Sequence, residues 1–237
     1  MTGDNMKLGI IGGLGPMATV YFMEMITDLT KASKDQDHIE MIVVSNPKTP
    51  DRTAFILGGS DEDPLPYIND SAEILEKSGA DVIAIPCITA HCFHGKLCRN
   101  TKVRVLNAVD ETVAELQRLG IGKAGIMATE GTVRCEIFQD AFRKHDIEPV
   151  VPSNDIQKDI MDLIYKDIKA GEEPSKERFD RIMSYFGDKG AKMVVLGCTE
   201  LSLLKKTDLN MTGTIDAMEI LARAAIRATG YKVKGED

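Results

Sequence analysis

A repeated segment constrains the fold of this chain more than any other feature. Residues 79–87 and 190–198 both begin Gly-Ala, pass through an apolar run of strand length and end in cysteine, 111 residues apart. Residues 7–10 and 123–126 form a second similar pair, 116 residues apart. Two matches at nearly the same offset indicate a duplicated structural unit. We therefore expect two similar lobes, each with one of the repeated cysteines.

Apolar runs of strand length alternate with amphipathic segments of helix length. The predicted strands are residues 8–12, 41–45, 82–87, 103–107, 124–129, 149–152, 193–198 and 213–216. The predicted helices include residues 16–32, 67–78, 108–119, 156–170 and 176–189. Continuous apolar strands separated by helices are typical of parallel sheets covered on both faces. The predicted fold class is α/β, with two similar lobes, each a parallel sheet flanked by helices, related by a pseudo-twofold axis and with the functional site in the cleft between them.

The repeat also predicts where the lobes divide. We expect residues 1–107, together with about 216–237, to form the first lobe, because the C-terminal helix can return to it. Residues 108–215 are expected to form the second lobe. No low-complexity segment or long linker separates the two parts, so the lobes should pack closely.

Composition and charge exclude several classes of function. Hydrophobic residues make up 43% of the 237 residues and charged residues 28%, as in soluble globular proteins. The apolar runs are too short to span a bilayer, and the N-terminus lacks the pattern of a secretory signal. A net charge of −8 without a basic cluster argues against a nucleic-acid surface. We expect a cytoplasmic protein that acts on small molecules, with no nucleic-acid or membrane partner, and we expect a homodimer.

The two repeated cysteines suit acid–base chemistry at a stereocentre. Five cysteines and no secretory signal argue against a disulfide framework. Two thiols that face one cleft from opposite lobes can invert a stereocentre, since one removes the α-proton and the other returns a proton to the opposite face. Thr89 follows Cys87 closely, and Thr199 follows Cys198. Both places look like strand-to-helix turns with free N–H groups for a substrate carboxylate.

Six segments resemble, in order, the signatures of the aspartate/glutamate racemases. They are residues 9–16 (GIIGGLGP), 46–53 (NPKTPDRT), 85–91 (IPCITAH), 128–133 (ATEGTV), 168–171 (IKAG) and 196–201 (LGCTEL). The resemblance implies two similar α/β lobes and a two-base racemase for aspartate or glutamate. It also implies a reaction without pyridoxal phosphate. The sequence offers no dinucleotide-binding acid and no convincing set of metal ligands, so we expect no cofactor and no metal.

The resemblance further implies roles for individual residues. The acid–base pair would be Cys87 and Cys198. The α-carboxylate would accept hydrogen bonds from four hydroxyls, those of Thr89, Thr129, Thr132 and Thr199. A dianionic substrate needs cations, and arginine binds a carboxylate through two hydrogen bonds. The candidates for the distal carboxylate are therefore Arg52 and Lys169, and a further substrate-binding candidate is Glu200.

One position departs from the family. Ile88 follows Cys87 where the family usually has asparagine. An amide there would bind the α-carboxylate or the α-amino group, and isoleucine cannot. Losing a buried hydrogen bond to a charged group costs about 1.5–3 kcal/mol, enough to weaken binding about ten- to a hundredfold. The departure bears on the choice of substrate more than on the chemistry.

Two other motifs are weaker. Residues 13–18 fit a dinucleotide-binding loop, but Ser45 and Asn46 stand where an acidic residue is expected. A zinc site would use Cys87, His91, Cys92 and His94, but no Cys-x-x-Cys pair accompanies them. We expect packing roles for the remaining cysteines, Cys92, Cys98 and Cys135.

Three functions stay open at this point. The first is racemisation of an acidic amino acid. The second is a related isomerase or decarboxylase reaction of a dicarboxylate on the same fold. The third is non-catalytic binding of an amino acid.

Overall fold

The computed structural model describes residues 6–236 and forms two parallel sheets of identical topology. The strands of the first sheet are β1 (Leu8–Gly12), β2 (Met41–Ser45), β3 (Val82–Ala84) and β4 (Arg104–Val105), in the order β2-β1-β3-β4. Those of the second are β5 (Lys123–Met127), β6 (Glu148–Val150), β7 (Met193–Leu196) and β8 (Thr214–Asp216), in the order β6-β5-β7-β8. The predicted α/β fold with two similar parallel sheets is confirmed.

Helices cover both sheets. The α-helices are α1 (Pro16–Leu29), α2 (Arg52–Ile56), α3 (Leu65–Lys77), α4 (His94–Leu97), α5 (Ala108–Arg118), α6 (Glu130–Arg134), α7 (Ile137–Lys144), α8 (Asn154–Asp162), α9 (Lys176–Asp188) and α10 (Ala217–Ala228). The 3₁₀ turns are Asp35–Asp37, Ile88–Phe93 and Leu201–Lys206, and α8 continues into a π-helical turn, Leu163–Ile168. The C-terminal helix α10 packs against α1 and α5. Residues 1–5 and 237, which the predicted first lobe includes, lie outside the described residues.

The two strands that lead to the repeated cysteines are shorter than predicted. The predicted strands reach Cys87 and Cys198, but β3 ends at Ala84 and β7 ends at Leu196. The apolar run continues beyond each strand because the residues stay buried after leaving the sheet. Hydrophobicity reports burial and cannot show where the ladder of hydrogen bonds stops. The following turns also differ from the prediction, since each leads into a 3₁₀ turn of six residues.

The repeated glycines have a shared structural reason. Gly79 and Gly190 follow α3 and α9 with φ of +82° and +79°, a left-handed conformation that favours glycine and ends a helix. Gly9 and Gly125 lie in β1 and β5, where a helix crosses the sheet closely. A Cβ at Gly125 would lie 2.6 Å from a ring carbon of Phe186 on α9. The repeated glycines therefore have the same roles in both lobes: one of each pair ends a helix, and the other allows close packing of a helix on the sheet.

A shared hydrophobic core joins the two sheets. Its largest cluster contains residues of both central strands, such as Ile10 and Ile126, together with the buried faces of α5 and α10. Smaller clusters fill the outer side of each sheet. Within residues 6–236, no helix combines the length and the apolarity that a bilayer crossing requires.

Candidate active site

Cys87 and Cys198 line one cavity between the two lobes. Each cysteine lies just beyond the carboxyl end of the equivalent strand, β3 or β7, where parallel sheets place their ligands. The cavity has a volume of about 10 Å³, room for roughly one water molecule. A wider groove of about 470 Å³ adjoins it and shares several of its lining residues, among them Leu14 and Glu200. The inner cavity alone is smaller than an amino acid.

Most of the predicted site residues lie around this cavity. Its lining includes eight of the nine candidates, namely Arg52, Cys87, Thr89, Thr129, Lys169, Cys198, Thr199 and Glu200. The ninth, Thr132, lies directly behind Thr89 and Thr129. Sequence segments far apart in the chain are therefore brought to one place.

Three threonine hydroxyls form a closed triangle between the lobes. The Oγ1 atom of Thr89 lies 3.0 Å from that of Thr129 and 2.9 Å from that of Thr132, which are 3.0 Å from each other. All three residues are buried. Each hydroxyl can donate one hydrogen bond within the triangle. The hydroxyls of Thr89 and Thr129 line the cavity and can rotate to donate to a carboxylate there.

The lobes touch beside this triangle. Gly131 on α6 meets Thr53 on α2 so closely that a Cβ at Gly131 would lie 2.9 Å from the Cα of Thr53. The helix α2 begins at Arg52, with the Asp51 side chain accepting a hydrogen bond from the Ala54 N–H at 2.8 Å. This contact joins α2, which begins at Arg52, to α6, which contains Thr132.

The guanidinium of Arg52 is buried beside Cys87. It donates hydrogen bonds to three backbone carbonyls, at 3.3 Å to Thr49, 3.0 Å to Pro50 and 2.5 Å to Leu14. Burial lowers the pKa of Arg52, but its interactions with Cys87 and Asp51 outweigh burial and raise the pKa overall. Its Nε has no hydrogen-bond partner among the described residues. Arg52 is thus a fixed cation next to the first thiol.

Glu200 lies between Cys198 and Lys169. The thiol of Cys198 donates a hydrogen bond to Glu200 Oε2 at 2.9 Å, and Lys169 Nζ lies 3.6 Å from Oε1. Burial raises the pKa of Cys198 well above its usual value, Glu200 raises it further, and Lys169 opposes the rise. Burial lowers the pKa of Lys169, but Glu200 and the other anionic groups nearby outweigh burial and raise it. The second thiol is therefore held beside a carboxylate, unlike the first.

Tyr165 and Asp51 also line the cavity, and the sequence analysis gave neither of them a role. Tyr165 lies under Lys169, with the ammonium 4.1 Å from the ring centroid, and its hydroxyl donates to Asp51 Oδ2 at 3.4 Å. Asp51 stands next to Arg52 in a segment that the sequence singled out, and Tyr165 lies four residues before Lys169 on the same helical surface. These two spacings could have pointed to Asp51 and Tyr165 as residues of the site, but neither spacing shows that their side chains meet.

The remaining expectations concern residues around the first cysteine. Ile88 lines the cavity but is 1% exposed and packs in the large core cluster, so its side chain serves the core. His91 is buried, with its Nδ1 3.1 Å from the Cys87 carbonyl oxygen, and its ring stacks on that of His94. The other cysteines, Cys92, Cys98 and Cys135, are outside the cavity lining.

Comparison with known proteins gives the family. The family model described as Asp/Glu/Hydantoin racemase matches residues 11–225. The broad specificity amino-acid racemase RacX of Bacillus subtilis (strain 168) is 28% identical over 225 residues, which cover 92% of this chain and 96% of the relative.

Solved structures agree with this match. An aspartate racemase from Picrophilus torridus superposes with a TM-score of 0.82 and 31% identity, over 96% of each chain. An aspartate racemase homologue from Pyrococcus horikoshii superposes with a TM-score of 0.76 and 25% identity, over 94% of this chain and 99% of the other. The resemblance drawn from the sequence is confirmed. The chain belongs to the Asp/Glu/Hydantoin racemase family and is a racemase, an enzyme of the isomerase class.

Proposed function

We propose that this racemase interconverts the enantiomers of an acidic amino acid, aspartate or glutamate, by proton transfer between Cys87 and Cys198. One observation carries the proposal: both thiols line a single cavity from equivalent positions of the two sheets. One thiolate takes the α-proton, and the thiol of the other lobe returns a proton to the opposite face. The reverse reaction exchanges the two roles. The reaction draws on the chain's own side chains, and no cofactor takes part in the proposed steps.

The substrate would be held by the polar walls of the cavity. Thr89, Thr129 and Thr199 face it with hydroxyls that can donate to the α-carboxylate, and Thr132 supports them from behind. Arg52 and Lys169 supply positive charge for the distal carboxylate. Such charge-assisted hydrogen bonds are roughly twice as strong as neutral ones.

A second candidate is racemisation of amino acids with other side chains. Three observations favour it. The terminal nitrogens of Arg52 already donate to backbone carbonyls, and Lys169 is already paired with Glu200. The relative from Bacillus subtilis is described as having broad specificity. The adjoining groove of about 470 Å³ is also larger than the side chain of aspartate needs.

Solvent exchange at Cα tests these functions together. The full chain would be incubated in D₂O with each enantiomer of a panel of amino acids, and deuterium at Cα and enantiomeric excess would be followed by NMR and chiral chromatography. We expect exchange together with racemisation, fastest for aspartate or glutamate. Faster turnover of neutral or basic amino acids would favour the second candidate.

The other outcomes contradict the proposal in distinct ways. Loss of a carboxylate or shift of a double bond in a dicarboxylate would assign the protein to a related isomerase or decarboxylase reaction. Binding of an amino acid with no exchange at Cα would leave only a binding function.

A further inference from the structure

Both carboxylate oxygens of Glu200 already have partners within the protein. Oε2 accepts hydrogen bonds from the Cys198 thiol at 2.9 Å and from the Thr199 hydroxyl at 3.4 Å. Oε1 faces Lys169 and lies so close to the backbone of Gly15 that a Cβ there would be 2.7 Å from it. The residue is 7% exposed. These neighbours hold the carboxylate so that Oε2 stays within hydrogen-bond distance of the Cys198 sulfur.

The two thiols therefore have opposite electrostatic surroundings. Cys87 has the buried guanidinium of Arg52 as a charged neighbour, and Cys198 has a buried carboxylate within hydrogen-bond distance. A carboxylate stabilises the protonated thiol by accepting its hydrogen bond and opposes the thiolate by like-charge repulsion. The charged and titratable groups that face Cys198 are Glu200 on its own loop and, from the π-helical turn and its end, Tyr165 and Lys169.

We propose that Glu200 is a positioning residue that keeps a proton on Cys198, so that Cys198 acts as the acid in the first proton transfer. The inference rests on the proposed two-thiol reaction. In this direction the thiolate of Cys87 takes the α-proton, and Cys198 gives its proton to the opposite face of the carbanion. One turnover leaves a thiol at Cys87 and a thiolate at Cys198 beside Glu200. Lys169 partly offsets the resulting repulsion.

The pH at which each cysteine is alkylated tests this inference without any substrate. The full chain would be treated with iodoacetamide between pH 6 and 10.5, and the rate at Cys87 and Cys198 would be measured separately by peptide mass spectrometry. The thiolate is the reactive form, so the midpoint pH of the rate reports protonation independently of access. We expect the midpoint for Cys198 to lie above that of an ordinary cysteine, about 8.5.

Two substitutions should move the Cys198 midpoint in opposite directions. Glu200→Gln is nearly isosteric and should lower it by about one pH unit, which raises the alkylation rate near pH 7 about tenfold. Lys169→Met removes the opposing cation and should raise it. Glu200→Asp retains the carboxylate and should stay closer to the unmodified protein than Glu200→Gln. General loosening of the fold would move the Cys198 midpoint in the same direction in Glu200→Gln and in Lys169→Met. Circular dichroism checks that each variant is folded.

Three results would overturn the inference. They are an unchanged Cys198 midpoint in Glu200→Gln, shifts of the same sign in Glu200→Gln and Lys169→Met, and a Cys198 midpoint no higher than that of an ordinary cysteine in the unmodified protein. Alkylation needs no turnover. Failure of the Cα exchange assay would therefore refute the proposed reaction, while the alkylation midpoints would still test the role of Glu200. Unchanged midpoints would refute the role of Glu200 even if racemisation is observed.

Discussion

The buried histidine behind the first thiol makes a quantitative prediction about stability in acid. His91 donates from Nδ1 to the Cys87 carbonyl oxygen, and its Nε2 is buried with no hydrogen-bond partner in the described part of the chain. Burial lowers its pKa to about 4, and contact with the Cys87 backbone only partly opposes this effect. In the unfolded chain the pKa of a histidine is about 6.5.

The sign of the effect follows from the two pKa values. In the unfolded chain His91 becomes protonated as the pH falls below about 6.5. In the folded protein it stays neutral until about pH 4. The free energy of unfolding therefore falls through this window. A difference of about 2.5 pKa units corresponds to about 3 kcal/mol in total, of which about 2 kcal/mol is already lost at pH 5. Above pH 6.5 this contribution is constant.

Substituting His91→Gln should remove this part of the pH dependence. Glutamine retains an N–H donor for the Cys87 carbonyl but does not titrate. Urea unfolding at pH 8 and pH 5 gives the loss of stability for each protein, and we expect the loss to be about 2 kcal/mol smaller in His91→Gln. The matched control is His145→Gln, since His145 is exposed, and it should lose as much stability as the unmodified protein. Equal losses in His91→Gln and in the unmodified protein would refute the reasoning.

Two further predictions concern the thiols and the packing of the second sheet. Replacing Cys87 by Ser should reduce racemisation by about 10²–10⁴-fold while deuterium exchange persists for one enantiomer, and Cys198→Ser should give exchange of the opposite enantiomer. Racemisation by either variant near the unmodified rate would rule out the two-thiol mechanism. Gly125→Ala places a methyl group 2.6 Å from the Phe186 ring and should cost about 1–3 kcal/mol in urea unfolding. Gly122→Ala, which points into open space, should change stability by less than about 0.5 kcal/mol; equal losses in both variants would contradict the packing argument.

Much of the fold could be predicted because its signals are local or repeated. The apolar runs that form β1 and β5 and the glycines that end α3 and α9 depend on periodicity and on single backbone conformations. The duplication extends these signals to both lobes and places a cysteine at the end of each equivalent strand. Where the predicted strands were too long, as at Cys87, the buried character of the chain continued after the hydrogen-bonded ladder had stopped.

The sequence alone thus determined two lobes, their parallel sheets and the thiol that each contributes. Only the tertiary structure decided which charge faces each thiol. Tyr165 meets Asp51 across 114 residues of sequence, and Arg52 lies beside Cys87 while Cys198 faces a carboxylate. The Tyr165–Asp51 contact depends on how the two sheets are oriented about one cleft, whereas the contacts of the two thiols depend on how the loops fold beyond the strand ends of each lobe. That orientation is set by the core the lobes share, and no local pattern of residues encodes it.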